Sequence, residues 1–346
     1  MISLGRYAES NALLRITLPR LLSREEMLEM ARAPTLQESW AAFRRTAYGE
    51  WLREETVPDQ LRIERRTREI TAAWFYPAAR RLGGPAAAVG AALLSRWELD
   101  HLIFCLRLWQ GRDPRVEEFL HFPLFEHDIP AQEVAAAKTL EELADVLAST
   151  PYASALRSGA AGYRETGSIV QVELALERAY YRRLREATGR LGGLDGGNGA
   201  RIVSDEIDAV NLTWLSRLME IQGLPIEQAR GLLIPGPSQL SRELATPGET
   251  AEAMNATSLR LLGKQWEGGD GRGPAAERLS LIERAVDELS LARARAHLAA
   301  YPFSITGIFA LQRLLLTDLR NVCTLFAGKR LGVNELDCVS RLRGVV

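Results

Sequence analysis

The chain has 346 residues, enough for one large unit or two to three compact ones, and its 47% hydrophobic and 25% charged content is ordinary globular material. A net charge of −1 leaves no basic surplus for nucleic-acid binding, and no apolar run approaches the roughly 20 residues of a membrane-spanning helix. Forty arginines stand against three lysines, Lys138, Lys264 and Lys329, a bias that suits a GC-rich coding sequence and also the planar pairing of guanidinium with carboxylate.

Arg6, Glu9, Arg15 and Arg20 interrupt the first stretch, so no secretory signal is expected there. Thr35-Leu36-Gln37-Glu38, leading to Thr46-Ala47-Tyr48, predicts a short helix opened by a threonine cap and a glutamate three residues on. Leu61 to Tyr76 predicts a long helix. The Ala- and Gly-rich run Gly83 to Leu94 is weakly apolar and stops at Ser95-Arg96. Trp97 to Gln110 predicts a central helix ended by Gly111, and Val116 to Leu120 a short closing piece. Phe122-Pro123 to Pro130 reads as a polar link. It holds Glu126, His127 and Asp128 beside His121, a set that could in principle bind a metal but reads more simply as a loop.

The pattern then recurs. Thr139-Leu140-Glu141-Glu142 and Thr150-Pro151-Tyr152 repeat the first cap and tyrosine at a spacing of 104. Ile169 to Thr188 predicts the second long helix, and the glycine-rich Leu191 to Ala200 a flexible connection. Asp205 to Gln222 predicts the second central helix, with Ser204 as N-cap and a stripe of Ile207, Val210, Trp214, Leu218 and Ile221. Gly223 and Pro225 end it, and Ile226 to Leu233 closes the module before Pro235-Gly236-Pro237. A degenerate third cap segment is expected from Gly248 to Leu259, and a second glycine-rich link from Glu267 to Pro274. Long, central and closing helices follow at Ala275 to Leu298, Ile308 to Ala327 (ended by Gly328) and Glu335 to Leu342. Cys105, Cys323 and Cys338 read as buried free thiols, not as a disulfide framework.

One phrase is written three times at intervals of 110 residues: Glu98-x-x-His101-Leu102, Asp208-x-x-Asn211-Leu212 and Asp318-x-x-Asn321-Val322. The expected division is therefore three helical modules, 1–129, 130–237 and 238–346. In each copy the polar pair lies one turn apart on one helix face. A catalytic pair is rarely triplicated. The expected role is to cap or bridge a neighbouring helix terminus, satisfying its orphan backbone groups, with a partner interface as the alternative.

The motifs of chemistry are missing. No His-Glu-x-x-His occurs, and the glycine run from Gly192 to Gly199 follows a helix, without dinucleotide or P-loop spacing. As a calcium loop from Asp195 it puts glycine where side-chain ligands belong. Gly328-Lys329 is followed by Arg330, not Ser or Thr, and there is no Asp-Asp pair of the kind all-α isoprenoid synthases use. No catalytic, cofactor or metal residues are assigned.

Tyr7 to Arg15 (YAESNALLR) with Leu21-Leu22-Ser23-Arg24-Glu25, Leu176 to Leu184 (LERAYYRRL), Ile207 to Arg217 with Leu232 to Gly236, and Pro302 to Lys329 together carry a resemblance. The chain resembles the C subunit of the A/V-type ATP synthases and ATPases, the relative of the d subunit of the eukaryotic V-ATPase. His101, where the other copies have Asn, and the glycine-rich arms depart from that pattern. The resemblance implies an all-α funnel of three similar modules around a pseudo-threefold axis. It implies a non-catalytic central-stalk rotor protein without cofactors, joining the D and F shaft proteins to the membrane proteolipid rotor ring. Rotation would then pass between ATP chemistry and transport of H+ or Na+, and the chain would be cytoplasmic and peripheral to the membrane. The alternatives are a helical-repeat scaffold without motor role and an all-α enzyme with a deep pocket.

Overall fold

The computed structural model describes residues 4–52, 56–123, 126–236, 240, 262–263, 275–300 and 302–345. Among them every regular element is helical: α1 Leu4–Thr17, α2 Arg24–Arg32, α3 Leu36–Phe43, α4 Gln60–Arg80, α5 Pro85–Gln110, α6 Val116–Leu120, α7 Ala131–Ala136, α8 Leu140–Val146, α9 Ala153–Thr166, α10 Val170–Gly189, α11 Gly193–Glu220, α12 Ile226–Leu232, α13 Ala275–Ala299, α14 Thr306–Arg330 and α15 Glu335–Arg341. Two 3-10 turns, Leu18–Arg20 and Ala47–Trp51, join the first helices. The expected all-α class is what the chain adopts.

The helix starts follow local chemistry. Thr35 accepts the N–H of Glu38 while the Glu38 carboxylate returns to the N–H of Thr35, a complete capping box that satisfies two orphan donors. Thr139 caps α8 in the same way, but Glu142 turns instead to the N–H of Lys138 at 2.6 Å. Thr46 and Thr150 form matching turns: each hydroxyl donates three residues back, to Phe43 and Leu147, and accepts the N–H of Tyr48 or Tyr152.

Four boundaries differ from the sequence expectation. The run 83–94 mostly belongs to α5, whose first residue is Pro85, where a missing N–H costs nothing. The central helix α11 starts at Gly193, so Ser204 lies within it and most of the glycine-rich stretch is helical. Glycine is needed there because the α10–α11 corner is tight: a Cβ on Gly196 would sit 2.6 Å from the Leu191 carbonyl oxygen. At the end of α5 it is Arg112, at φ 52°, and not Gly111, that takes the left-handed turn. Gly328 does not end α14, which continues to Arg330; it makes room for Cys338 Sγ, 2.9 Å from where its Cβ would stand, and Gly332 takes the left-handed turn at φ 70°. Helix α9 has no counterpart in the sequence reading. The expected third cap segment, Gly248 to Leu259, and the link Glu267 to Pro274 lie outside the described residues.

The chain divides into two compact units, Met1–Leu94 with Asp287–Val346, and Ser95–Val286, the division falling inside α5 and α13. In the first, α14 packs on α4, α2 and α3, and an aromatic cluster fills the space between them. Trp40 meets Phe326 edge-on at 5.6 Å, Phe43 lies 5.5 Å from Phe326 and 5.0 Å from Tyr48, and Tyr48 lies 4.6 Å from Trp74. Burying each such ring contributes about 1.5–3 kcal/mol. In the second unit α10 packs on α9 and α11, around a core of Leu174, Trp214, Leu215, Leu218 and Ala229. Cys105 and Cys338 are buried free thiols, and Cys323 is half-buried.

Candidate functional site

All six residues of the repeated phrase are buried. The second residue of each pair reaches the segment that closes the same repeat. Asn211 donates from Nδ2 to the Ile234 carbonyl at 2.9 Å and accepts the Ile234 N–H at 2.8 Å. Asn321 does the same with Arg343, at 3.0 and 2.8 Å, and also touches Met27 Sδ. One amide thus satisfies both backbone groups of one residue past the closing helix. His101 makes only half of this contact. Its Nε2 lies 2.5 Å from the Phe119 carbonyl, which can only accept, so Nε2 carries a proton. The ring stacks on Phe122 at 4.5 Å, and that contact occupies the position of the second hydrogen bond.

The acids reach a further segment. Glu98 accepts the N–H of Glu126 at 2.9 Å and faces His127 Nδ1 at 2.6 Å. Asp208 accepts the N–H of Leu240 at 3.0 Å. Asp318 takes its partners from far upstream: the N–H of Leu22 at 2.9 Å and the phenol of Tyr48 at 3.1 Å. Each acid therefore holds a cap segment onto its central helix, and for Asp318 that segment is residues 18–52. Tyr152, the repeat equivalent of Tyr48, lies against the Glu98 region, its ring edge-on to His127 at 5.7 Å.

Burial dominates the electrostatics. It raises Asp318 to about 7, with the Leu22 N–H and Tyr48 O–H opposing the rise and the Glu26 charge adding to it. Burial and then the Glu98 charge push the Tyr152 phenol far up. Burial would also raise Asp287, but Arg313, Arg320 and Arg343 outweigh it and hold that carboxyl below its usual value.

Arginine forms a second layer that the sequence reading did not find, although its spacing was visible. Arg107 pairs with Glu173 and Arg217 with Glu283, again 110 residues apart in both partners. Arg185 donates to the Pro235 carbonyl and Arg295 to that of Gly344, so each long helix ties down the residues that follow a closing helix. Lys329 caps the end of α2 through the Ala31 and Ala33 carbonyls, at 2.5 and 2.6 Å.

No convergent reactive set accompanies these joints. An open groove of about 740 Å³ between α2 and α3 carries Arg24, Arg32 and Arg45, and each is engaged: with the Val345 carbonyl, Glu335 and Glu29. Among the described residues no group of three His, Cys, Asp or Glu could hold a metal ion, and no helix is long and apolar enough to cross a membrane. Glu126 of the linking segment lies 3.6 Å from Arg183.

What the geometry describes is a helical body whose buried polar groups hold backbone segments. Residues 10–337 match the family model of the ATP synthase (C/AC39) subunit. The chain belongs to this family. Curated relatives are named as the C subunit of the A-type ATP synthase. That of Thermococcus kodakarensis is 24% identical over 88% of this chain and 81% of its own length. That of Thermococcus gammatolerans is 25% identical over 86% and 79%. That of Halorubrum lacusprofundi is 30% identical over 60% of this chain and 59% of its own length. Membership makes the chain a subunit of a rotary ATP synthase of the A/V type, as the sequence resemblance implies.

Proposed function

We propose that this protein is the central-stalk coupler, joining the D and F shaft proteins of the soluble motor to the membrane proteolipid ring without catalysing a reaction itself. In this reading the three modules, 1–129, 130–237 and 238–346, are arranged about a pseudo-threefold axis, and rotation passes through them between ATP chemistry and H+ or Na+ transport. One observation supports it above the others. The six polar residues of the triplicated phrase spend their hydrogen bonds on the body's own backbone segments, which is what a stiff transmitter of torque requires. The polar groove of α2 and α3, with its paired arginines and glutamates, is a surface of the kind that reversible contacts use.

The test is reconstitution. Folded full-length protein is mixed with a purified D–F heterodimer and with detergent-solubilised ring, and binding to each is measured. The coupler binds both. Failure to bind either one ends this reading and leaves the helical scaffold without motor role.

A further inference from the structure

Asp318 differs from an ordinary structural acid in three ways. It is buried in α14 and accepts from a segment 296 residues away in sequence. Both of its donors, the Leu22 N–H and the Tyr48 O–H, converge on Oδ2. No cation pairs with it among the described residues, whereas Glu98 faces His127. Two donors on one oxygen are what a protonated carboxyl accommodates, its carbonyl oxygen accepting twice while the other oxygen carries the proton. The groups around it do not favour charge. Glu26 of α2 adds repulsion, Tyr48 and Cys323 are neutral, and on α4 Arg68 is taken by Glu64.

The geometry points to a pH-sensitive latch: residues 18–52 are held on α14 and α15 most firmly while Asp318 is neutral, and loosen as it ionises. Lys329 on the end of α2, Arg24 on the Val345 carbonyl and Asn321 against Met27 are the parts of the latch that do not titrate near neutrality. The latch does not depend on the motor role proposed above.

The sign follows from linkage. The carboxyl titrates at about 7 when docked and at about 4 when the segment is released. Opening therefore releases a proton between those values. The opening constant rises by up to about tenfold per pH unit from about pH 4 to 7 and levels off above.

Peptide-resolved hydrogen exchange on the full chain, corrected for the intrinsic rate, reads this directly. Peptides from 18–52 and 331–345 are expected to open progressively from pH 5 to 7 and then plateau. Asp318→Asn removes the rise and Asp208→Asn keeps it. A flat wild-type profile, or the same rise in Asp318→Asn, overturns the proposal. Tyr48→Phe removes a hydrogen bond that favours the charged form, so the plateau moves to higher pH; an unmoved plateau puts the titration on another group. Should Asp318→Asn fail to fold, the side-chain carboxyl carbon resonance of Asp318 decides. A midpoint near 7 upholds the latch and one near 4 removes it.

Discussion

The unit of design is one buried amide with two backbone partners. In Asn211 and Asn321 the donor and the acceptor of the side chain are both used on the same distant residue. Truncation leaves an N–H and a C=O buried and unpaired, each at about 1–3 kcal/mol. Asn211→Ala is therefore expected to lower the unfolding free energy by about 3 kcal/mol, measured from the urea midpoint at constant slope. His101→Ala loses a single hydrogen bond and its stack on Phe122, so about 2 kcal/mol is expected. The identities of these residues were legible from the 110-residue spacing. Their partners were not, because a backbone N–H has no sequence signature.

Elements were legible where the code is local. The long, central and closing helices begin or end within a few residues of their expected bounds in most cases, and the Thr35 cap is the box its sequence spells. The glycine-rich start of α11 was not, because glycine's low helix propensity points to a loop while the corner with α10 requires a residue without Cβ. This separates two substitutions in one helix. Gly197 has nothing within 4 Å, so Gly197→Ala is expected to stabilise by up to about 1 kcal/mol. Gly196→Ala forces a Cβ against the Leu191 carbonyl and is expected to destabilise despite the same gain in propensity. Thermal unfolding of the two variants side by side checks the sign of each. Gly328 follows the same logic, since its place is set by Cys338 across the turn and not by the end of a helix.

At the scale of the molecule, the unit that contains α14 and α15 is completed by residues 4–52. They supply Trp40, Phe43 and Tyr48 to the aromatic core, the N–H that Asp318 accepts, and the helix end that Lys329 caps. Removing residues 1–52 is expected to abolish hydrogen-exchange protection across 306–345 while peptides of 126–236 keep theirs. Equal loss in both would show that the two units unfold as one. The sequence by itself determined the helical class, the triplicated polar pair and most helix starts, because propensity, capping and spacing act over a few residues. Only the tertiary structure decided which segment completes each joint and where Asp318 titrates, because backbone partners are chemically alike along the chain and desolvation exists only once the carboxyl is buried.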